Sequence, residues 1–470
     1  VKFTVNKRLG SLGILFSIAF VMLIINLTYL QVFTARKILS HSENKRALAQ
    51  EATIERGKIL SSDDKLLADN IAVENGYVRT YPQGEITSAL IGFNSSTYGR
   101  TGIELVYNDY LLGQHEISSI EDYFKELSGE KIPGNDITLT LNLSLQRESF
   151  EALGNNKGAV VALDPKTGAV LAMATSPTFD PNNIDENWSV LVKDSTAPLI
   201  NRGIQGLYPP GSSFKIITSS AAINSGAAAP DSVYESPGEI KIHGNIISNY
   251  EKKDLGDITF SEAFALSANT VFAQIGVELG AEQLVDCAEG FGLNHQIPFD
   301  LSTKTSKIPS ADKMDDVDIA WSAIGQADVL VTPLQMALAG SSIANKGIAM
   351  KPFLVKEVRD HRGIIIKELE GKKWLKPIDE ATASEIKNMM IKVVEDGTGK
   401  AAQISDVSVA GKTGTAEVST GEPHAWFVGF APAEDPQIVV AVLVENSGQG
   451  GRAAAPIAKK IIQKALRVTE

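Results

Sequence analysis

The stretch Tyr208-Pro209-Pro210-Gly211-Ser212-Ser213-Phe214-Lys215 sets a hydroxyl and an amine three residues apart, in a tight turn that releases into a helix. On a helix that spacing puts Ser212 and Lys215 one turn apart on the same face. The start of a helix also offers unpaired backbone N–H groups. A serine hydroxyl becomes a nucleophile when a neighbouring base takes its proton, and a lysine kept neutral by its surroundings can be that base. Ser212 is therefore the candidate nucleophile and Lys215 the candidate base. The spacing alone is common, since Ser-x-x-Lys starts at Ser42, Ser62, Ser128, Ser212, Ser310 and Ser384. Context separates Ser212 from the rest. It follows Pro-Gly and opens an apolar helical run (Phe214, Ile216, Ile217, Ala221, Ala222) that Gly226 can close.

Two more clusters follow. Thr259-Phe260-Ser261-Glu262 is a capping box that starts a helix. That helix runs into Leu266-Ser267-Ala268-Asn269, after which Val271, Phe272 and Ile275 resume a helical pattern. Ser267 and Asn269 are thus expected at a junction between two helices, where polar side chains can project into a cleft. The third cluster, Lys412-Thr413-Gly414-Thr415-Ala416-Glu417, lies on a predicted strand. A strand bearing Lys and Thr, with a glycine that leaves one face open, can bind a carboxylate alongside its backbone. Lys-Thr-Gly also occurs at Lys166, where Asp164-Pro165-Lys166-Thr167-Gly168 reads as the tip of a hairpin.

These clusters need elements to hold them. A chain of 470 residues has room for two or three domains, and its net charge of −12 argues against a nucleic-acid-binding protein. The single cysteine, Cys287, cannot form an internal disulfide and reads as core filler; the six histidines are scattered, so no metal and no cofactor is expected. Lys2, Lys7 and Arg8 precede an uncharged run from Leu9 to Ala35, long enough to cross a bilayer and too long for a signal peptide. The basic flank favours a cytoplasmic N-terminus, with everything from Arg36 onward outside the membrane. Residues 36–150 then read as a pedestal or docking module, with a strand–turn–strand pattern from Arg56 to Ala68 and no constellation for chemistry. Beyond it the pattern gives strands at 137–141, 159–163 and 169–174, a mostly helical portion from about 210 to 400, and strands at 407–418, 425–431 and 437–445. A helix over 453–465 follows. Strands at both ends with helices between them predict an antiparallel sheet flanked by helices, an α+β domain over 151–470.

Ser-x-x-Lys at Ser212, Ser-x-Asn at Ser267 and Lys-Thr-Gly-Thr at Lys412 follow one another in order, and this resembles the penicillin-binding and serine β-lactamase superfamily. Further stretches narrow the resemblance to class B penicillin-binding proteins, with residues 1–35 as membrane anchor. They include Arg56-Gly57, Gly102-Ile103-Glu104, Asn201-Arg202, Gly325-Gln326 and Trp426-Phe427-Val428-Gly429. The short first module and Tyr208-Pro209-Pro210-Gly211 look most like the small PbpA-type members. Ala268 departs from the Ser or Cys of many members, and Asp63-Asp64-Lys65 from the usual Asp-x-x-Gly.

The resemblance implies a membrane-anchored D,D-transpeptidase that cross-links peptidoglycan stem peptides and is acylated by β-lactams. In that reading Ser212 attacks the D-Ala-D-Ala carbonyl, Lys215 takes its proton, and Ser267 relays a proton to the leaving nitrogen. Asn269 holds the stem-peptide amide. Lys412, Thr413 and Thr415 bind the terminal carboxylate along Gly414, and the N–H groups of Ser212 and Thr415 form the oxyanion hole. It also implies a SEDS-type glycosyltransferase as membrane partner. A D,D-carboxypeptidase differs only in the acceptor and stays open as an alternative, as does a catalytically weak scaffold or β-lactam sensor. A sensor needs a cytoplasmic signalling domain, and eight residues precede the apolar run; a scaffold should have lost catalytic side chains, and all three clusters are intact.

Overall fold

Among the described residues, Leu9–Tyr29 of the uncharged N-terminal run is helical and unburied. The computed structural model describes residues 2–29, 51–114, 132–419 and 421–468. Its first helix, α1 (Lys2–Tyr29), includes an apolar segment Leu9–Tyr29 of 21 residues, none of it buried. At 1.5 Å per residue such a segment matches a hydrocarbon core of about 30 Å. Residues 30–35 of the run, Asn44-Lys45-Arg46, and the Ser-x-x-Lys hits at Ser42 and Ser128 lie outside the described residues.

The pedestal is built on strands β1 (Ile59–Leu60), β2 (Leu66–Val73), β3 (Gly76–Thr80) and β4 (Asp136–Leu139). Ile59, Leu67, Ala68, Ile137 and Leu139 are wholly buried beneath this sheet. After helix α2 (Leu143–Leu153) come β5 (Gly158–Leu163) and β6 (Val170–Ser176). They are joined by the Lys166 hairpin, whose turn is held by Asp164 accepting from Lys166 N (2.8 Å) and Thr167 Oγ1 (2.8 Å). Then follow α3 (Lys215–Ser225), α4 (Phe260–Leu266), α5 (Asn269–Gly290) and α6 (Pro333–Ala344). Next are β7 (Val355–Arg359), β8 (Ile365–Glu368), α7 (Glu380–Glu395), β9 (Ala410–Ala416), β10 (His424–Ala431), β11 (Ile438–Val444) and α8 (Gly450–Leu466).

Two sheets result. The catalytic-side sheet runs β9-β10-β11-β5-β6, antiparallel throughout, with β10 and β11 buried along their whole length. Helix α6 covers one face, and α8 with α2 the other. Gly340 lets α6 come close, since a Cβ there would lie 2.8 Å from Val428 Cγ1. With both faces covered, the sheet is open only along its edge strands, and β9 at one edge borders a cleft.

The second sheet runs β8-β7-β4-β1-β2-β3. Its outer two strands come from residues 355–368, inside the portion that sequence pattern alone makes mostly helical. Strands also occupy Val233–Ser236, Glu239–Ile242, Asn245–Ser248 and Gly256–Thr259. The helical expectation for 210–400 is thus corrected at these places. The 239–248 hairpin has a local signal: His243 (φ 46°) and Gly244 (φ 92°) form a left-handed two-residue turn between apolar alternations. Strand β7 has no comparable local signal. It is held by β4, with Val358 opposite Ile137, more than two hundred residues earlier in the chain.

The pedestal motifs have physical reasons. Glu104 is fully buried between Arg56 Nε and Arg79 Nε, each 2.6 Å from one of its oxygens. Burial alone would raise its carboxyl, but Arg79 and Arg56 hold it below the usual range. Gly57 leaves room for a close strand crossing, since a Cβ would lie 1.9 Å from Asn135 O.

Candidate active site

The turn carrying Ser212 is locked from three sides. Tyr208 exchanges backbone hydrogen bonds with Val331 (3.0 and 2.8 Å), and Gly211 N donates to Gly325 O at 2.8 Å. Trp426 Nε1 donates to Pro209 O at 3.0 Å, and Ser213 Oγ to Pro210 O at 2.7 Å. Gly211 adopts φ 52° and sits against β9, where a Cβ would lie 2.4 Å from Thr415 O. Gly325 is equally constrained, because a Cβ there would lie 2.1 Å from Gly211 O. The Gly325-Gln326 motif therefore permits the backbone crossing that supports the nucleophile turn. Ser212 itself lies in a 3-10 turn, Gly211–Phe214, which passes into α3 at Lys215.

Below that turn, Glu445 gathers three groups at the end of β11. It accepts from Arg202 Nε (2.9 Å) and Tyr208 OH (2.8 Å), and pairs with Lys157 Nζ at 3.1 Å. Asn201-Arg202 thus belongs to the scaffold beneath Tyr208.

The second cluster lies where the capping box predicts a helix start. Thr259 Oγ1 accepts from Glu262 N, and Glu262 Oε2 accepts from Thr259 N at 2.9 Å. Ser267 ends α4 in the left-handed conformation, φ 60°, and α5 begins at Asn269. The reversal directs both side chains toward Lys215. Lys215 Nζ donates to Ser267 O at 2.8 Å and to Asn269 Oδ1 at 2.8 Å, and lies 3.3 Å from Ser267 Oγ. Asn269 Nδ2 donates to Ser248 O at 3.0 Å, which fixes the amide so that its oxygen faces the lysine.

The third cluster completes the arrangement. Lys412 Nζ donates to Ser267 Oγ at 2.9 Å and to Thr413 O at 3.1 Å. One hydroxyl, Ser267, therefore bridges two buried amines. Gly414 lets the Ser212 turn approach, since a Cβ would lie 2.7 Å from Pro210 O and 3.0 Å from Ser213 N. The N-terminus of α8 packs on the same point, where Gly450 leaves no room for a side chain against Gly414 O. Ser212, Ser267, Asn269, Thr413 and Thr415 line one cleft of about 650 Å³, with Lys215 and Lys412 buried beneath it. The sequence-predicted residues thus converge, while Lys166 stays exposed on the far hairpin and pairs with Asp435 at 2.5 Å.

Charge in the cleft follows from burial. Removal from water lowers the Lys215 amine well below its usual range, and the nearby Lys412 lowers it further. Burial pushes Lys412 down to about 7. A neutral amine has two hydrogens and one lone pair. The two 2.8 Å bonds of Lys215 use both hydrogens, so its lone pair is left to accept a proton from a hydroxyl. Sequence reasoning missed the Glu445 hub, Ser248 and Thr398, whose hydroxyl lies 2.6 Å from Thr413 Oγ1. None of them has a local pattern that announces it; each acts through a partner on a different element, for Glu445 one more than two hundred residues away.

Comparison with known proteins agrees with this geometry. A family described as penicillin binding protein transpeptidase domain matches residues 158–463, and one described as penicillin binding protein A dimerisation domain matches residues 56–137. The chain is 33% identical to the peptidoglycan D,D-transpeptidase PbpA of Mycolicibacterium smegmatis, over 98% of this chain and 99% of that one. It is 34% identical to PbpA of Mycobacterium tuberculosis, with the same coverage. Penicillin-binding protein A of M. tuberculosis, solved as a ceftriaxone acyl-enzyme complex, superposes with a TM-score of 0.85 at 32% identity, covering 89% of this chain and 100% of that one. A D,D-transpeptidase domain from Eggerthella lenta gives 0.81 at 38% identity, covering 88% of this chain and 99% of that one. A nucleophile turn, a helix junction and a strand edge meeting over two buried lysines, on a fold shared with such proteins over 88–89% of its length, make this chain a member of the penicillin-binding-protein transpeptidase family.

Proposed function

We propose that the chain is a membrane-anchored serine D,D-transpeptidase that cross-links peptidoglycan stem peptides through an acyl-enzyme and is acylated by β-lactams at the same serine. The observation that carries this reading is Ser267 Oγ between Lys215 Nζ and Lys412 Nζ, at 3.3 and 2.9 Å, at the floor of the cleft that Ser212 lines. Relatives named peptidoglycan D,D-transpeptidase, and related structures described as β-lactam acyl-enzyme complexes, support the choice of substrate.

In the proposed mechanism the donor peptide lies along the edge of β9, its terminal carboxylate held by Lys412, Thr413 and Thr415 and its amide by Asn269. Lys215 takes the proton of Ser212, and Ser212 Oγ attacks the carbonyl between the two D-alanines. Backbone N–H groups of Ser212 and Thr415 hold the oxyanion, and each such donor contributes about 3–4 kcal/mol. The C–N bond breaks as Ser267 delivers a proton to the leaving D-alanine nitrogen, and its own proton is replaced from the lysine side. An acceptor amine then attacks the acyl-enzyme, and the same groups run in reverse.

The functional division proposed is 1–35 for the anchor, 36–150 for the pedestal and 151–470 for the catalytic unit, with β7 and β8 returning from the third to complete the pedestal sheet. The N-terminus is placed in the cytoplasm and the catalytic domain outside it, on the basic flank Lys2, Lys7 and Arg8. Helix α1 and the pedestal are the surfaces offered to a membrane partner, for which a SEDS-type glycosyltransferase is the proposed class. Incubating the purified chain with a D-Ala-D-Ala donor peptide and an acceptor amine tests the reading. The cross-linked product with release of D-alanine is expected. Release of D-alanine with hydrolysis alone would make the chain a carboxypeptidase.

A further inference from the structure

Thr398 belongs to none of the three clusters, yet it touches elements that carry two of them. It lies in Gly397-Thr398-Gly399 after α7 and lines the cleft. Its N–H donates to Ala265 O at 3.2 Å, two residues before Ser267. The neighbouring Gly397 fits so tightly that a Cβ would lie 2.3 Å from Ala265 O, and a Cβ on Gly451 of α8 would lie 2.5 Å from Thr398 O. The hydroxyl is therefore carried on backbone fixed against α4 and α8. It meets Thr413 Oγ1 at 2.6 Å.

The direction of that bond decides what Thr413 can do. A hydroxyl has one hydrogen and two acceptor lone pairs. If Thr413 donated to Thr398, it would turn a lone pair toward an anionic substrate group. If Thr398 donates, Thr413 accepts on its inner side and keeps its own hydrogen for the cleft. Accepting a bond also makes a hydroxyl a better donor, because successive hydrogen bonds polarise one another. We propose that Thr398 is a positioning residue for carboxylate capture, donating its O–H to Thr413 Oγ1 so that the Thr413 O–H faces the bound anion. This rests on the reading of β9 as the carboxylate-binding strand.

The test uses the full chain in detergent and a fluorescent penicillin, whose carboxylate is the probe, with capture and acylation constants measured separately. Thr398→Val keeps the side-chain volume and loses the donor. Capture should weaken about 3- to 10-fold, the range of one neutral hydrogen bond, with the acylation step at saturation little changed. Thr398→Ser should restore capture. In a Thr413→Val background, Thr398→Val should add no further loss, because it acts through Thr413. Wild-type capture by Thr398→Val, or an equal further loss without Thr413, would overturn the proposal. So would a loss that tracks a lowered thermal midpoint and is not restored by serine. A wild-type chain that forms no adduct at Ser212 would instead overturn the reading of the site, and this proposal with it.

Discussion

Two amines share one serine hydroxyl in this cleft, and their protonation states must differ for the chemistry to work. Lys215 serves as a base only when neutral, and its burial beside Lys412 favours that form. Replacing it by arginine should abolish acylation, because a guanidinium keeps its proton, and should also lower the thermal midpoint, because a fixed charge then occupies a fully buried place. A Lys215→Arg variant that is labelled by fluorescent penicillin at the wild-type rate would remove Lys215 from the base role. Lys412 has the opposite requirement, since it attracts a carboxylate only when charged. Its folded value of about 7 lies below the 10.5 of an exposed lysine, so the free enzyme loses this charge as pH rises through about 7. Capture should therefore fall above about 7 as Lys412 loses its charge, while the acylation step at saturating substrate should rise with pH as Lys215 loses its proton. The two limbs belong to the coupled pair. Lys412→Ala should weaken capture markedly and remove the falling limb. Lys166→Ala, at the exposed hairpin, should leave both constants unchanged. Equal effects in the two variants, measured across a pH series, would show that the third cluster is misplaced.

At the level of elements, the parts of the sequence that could be read are those whose cause is local. The capping box at Thr259, the αL glycine at Gly226 and the turn at Gly168 all stand where side-chain chemistry and glycine freedom require them. Strands β5, β6, β10 and β11 are apolar enough to be found by pattern. What pattern could not give is pairing at a distance. β7 and β8 leave the catalytic half of the chain to complete the pedestal sheet, and Val355-Lys356-Glu357-Val358-Arg359 does not alternate apolar with polar residues. The pedestal motifs were likewise visible as motifs but not as an ion pair, because the partners Arg56, Arg79 and Glu104 lie on three separate segments. That cluster makes a prediction. Glu104→Gln leaves two buried guanidinium groups without their anion, and should destabilise the chain by about 3–5 kcal/mol. Thermal unfolding should show the loss. The acylation rate of the folded fraction should not change, since Glu104 lies outside the cleft. A variant of wild-type stability would mean that the pair is not the pedestal's anchor.

At the scale of the whole molecule, an apolar helix long enough to cross a bilayer, a pedestal and a catalytic unit belong to one enzyme. The anchor and pedestal are expected to dock on a SEDS-type glycosyltransferase. Co-purification that survives replacing both α1 and residues 36–150 with unrelated sequence would rule that out. The site itself was legible because three weak patterns occur in one order, and the fold brings them to the same cleft. Each pattern alone was ambiguous: Ser62 lies in a pedestal turn, donating to Leu141 O at 3.1 Å, although it too begins a Ser-x-x-Lys. The central claim is that Ser212, and no other serine, becomes acylated. Peptide mass mapping of the full chain after reaction with penicillin measures this directly. The account predicts a single adduct on the peptide bearing Ser212, absent from Ser212→Ala. An adduct on any other residue, or one that persists in Ser212→Ala, would contradict it.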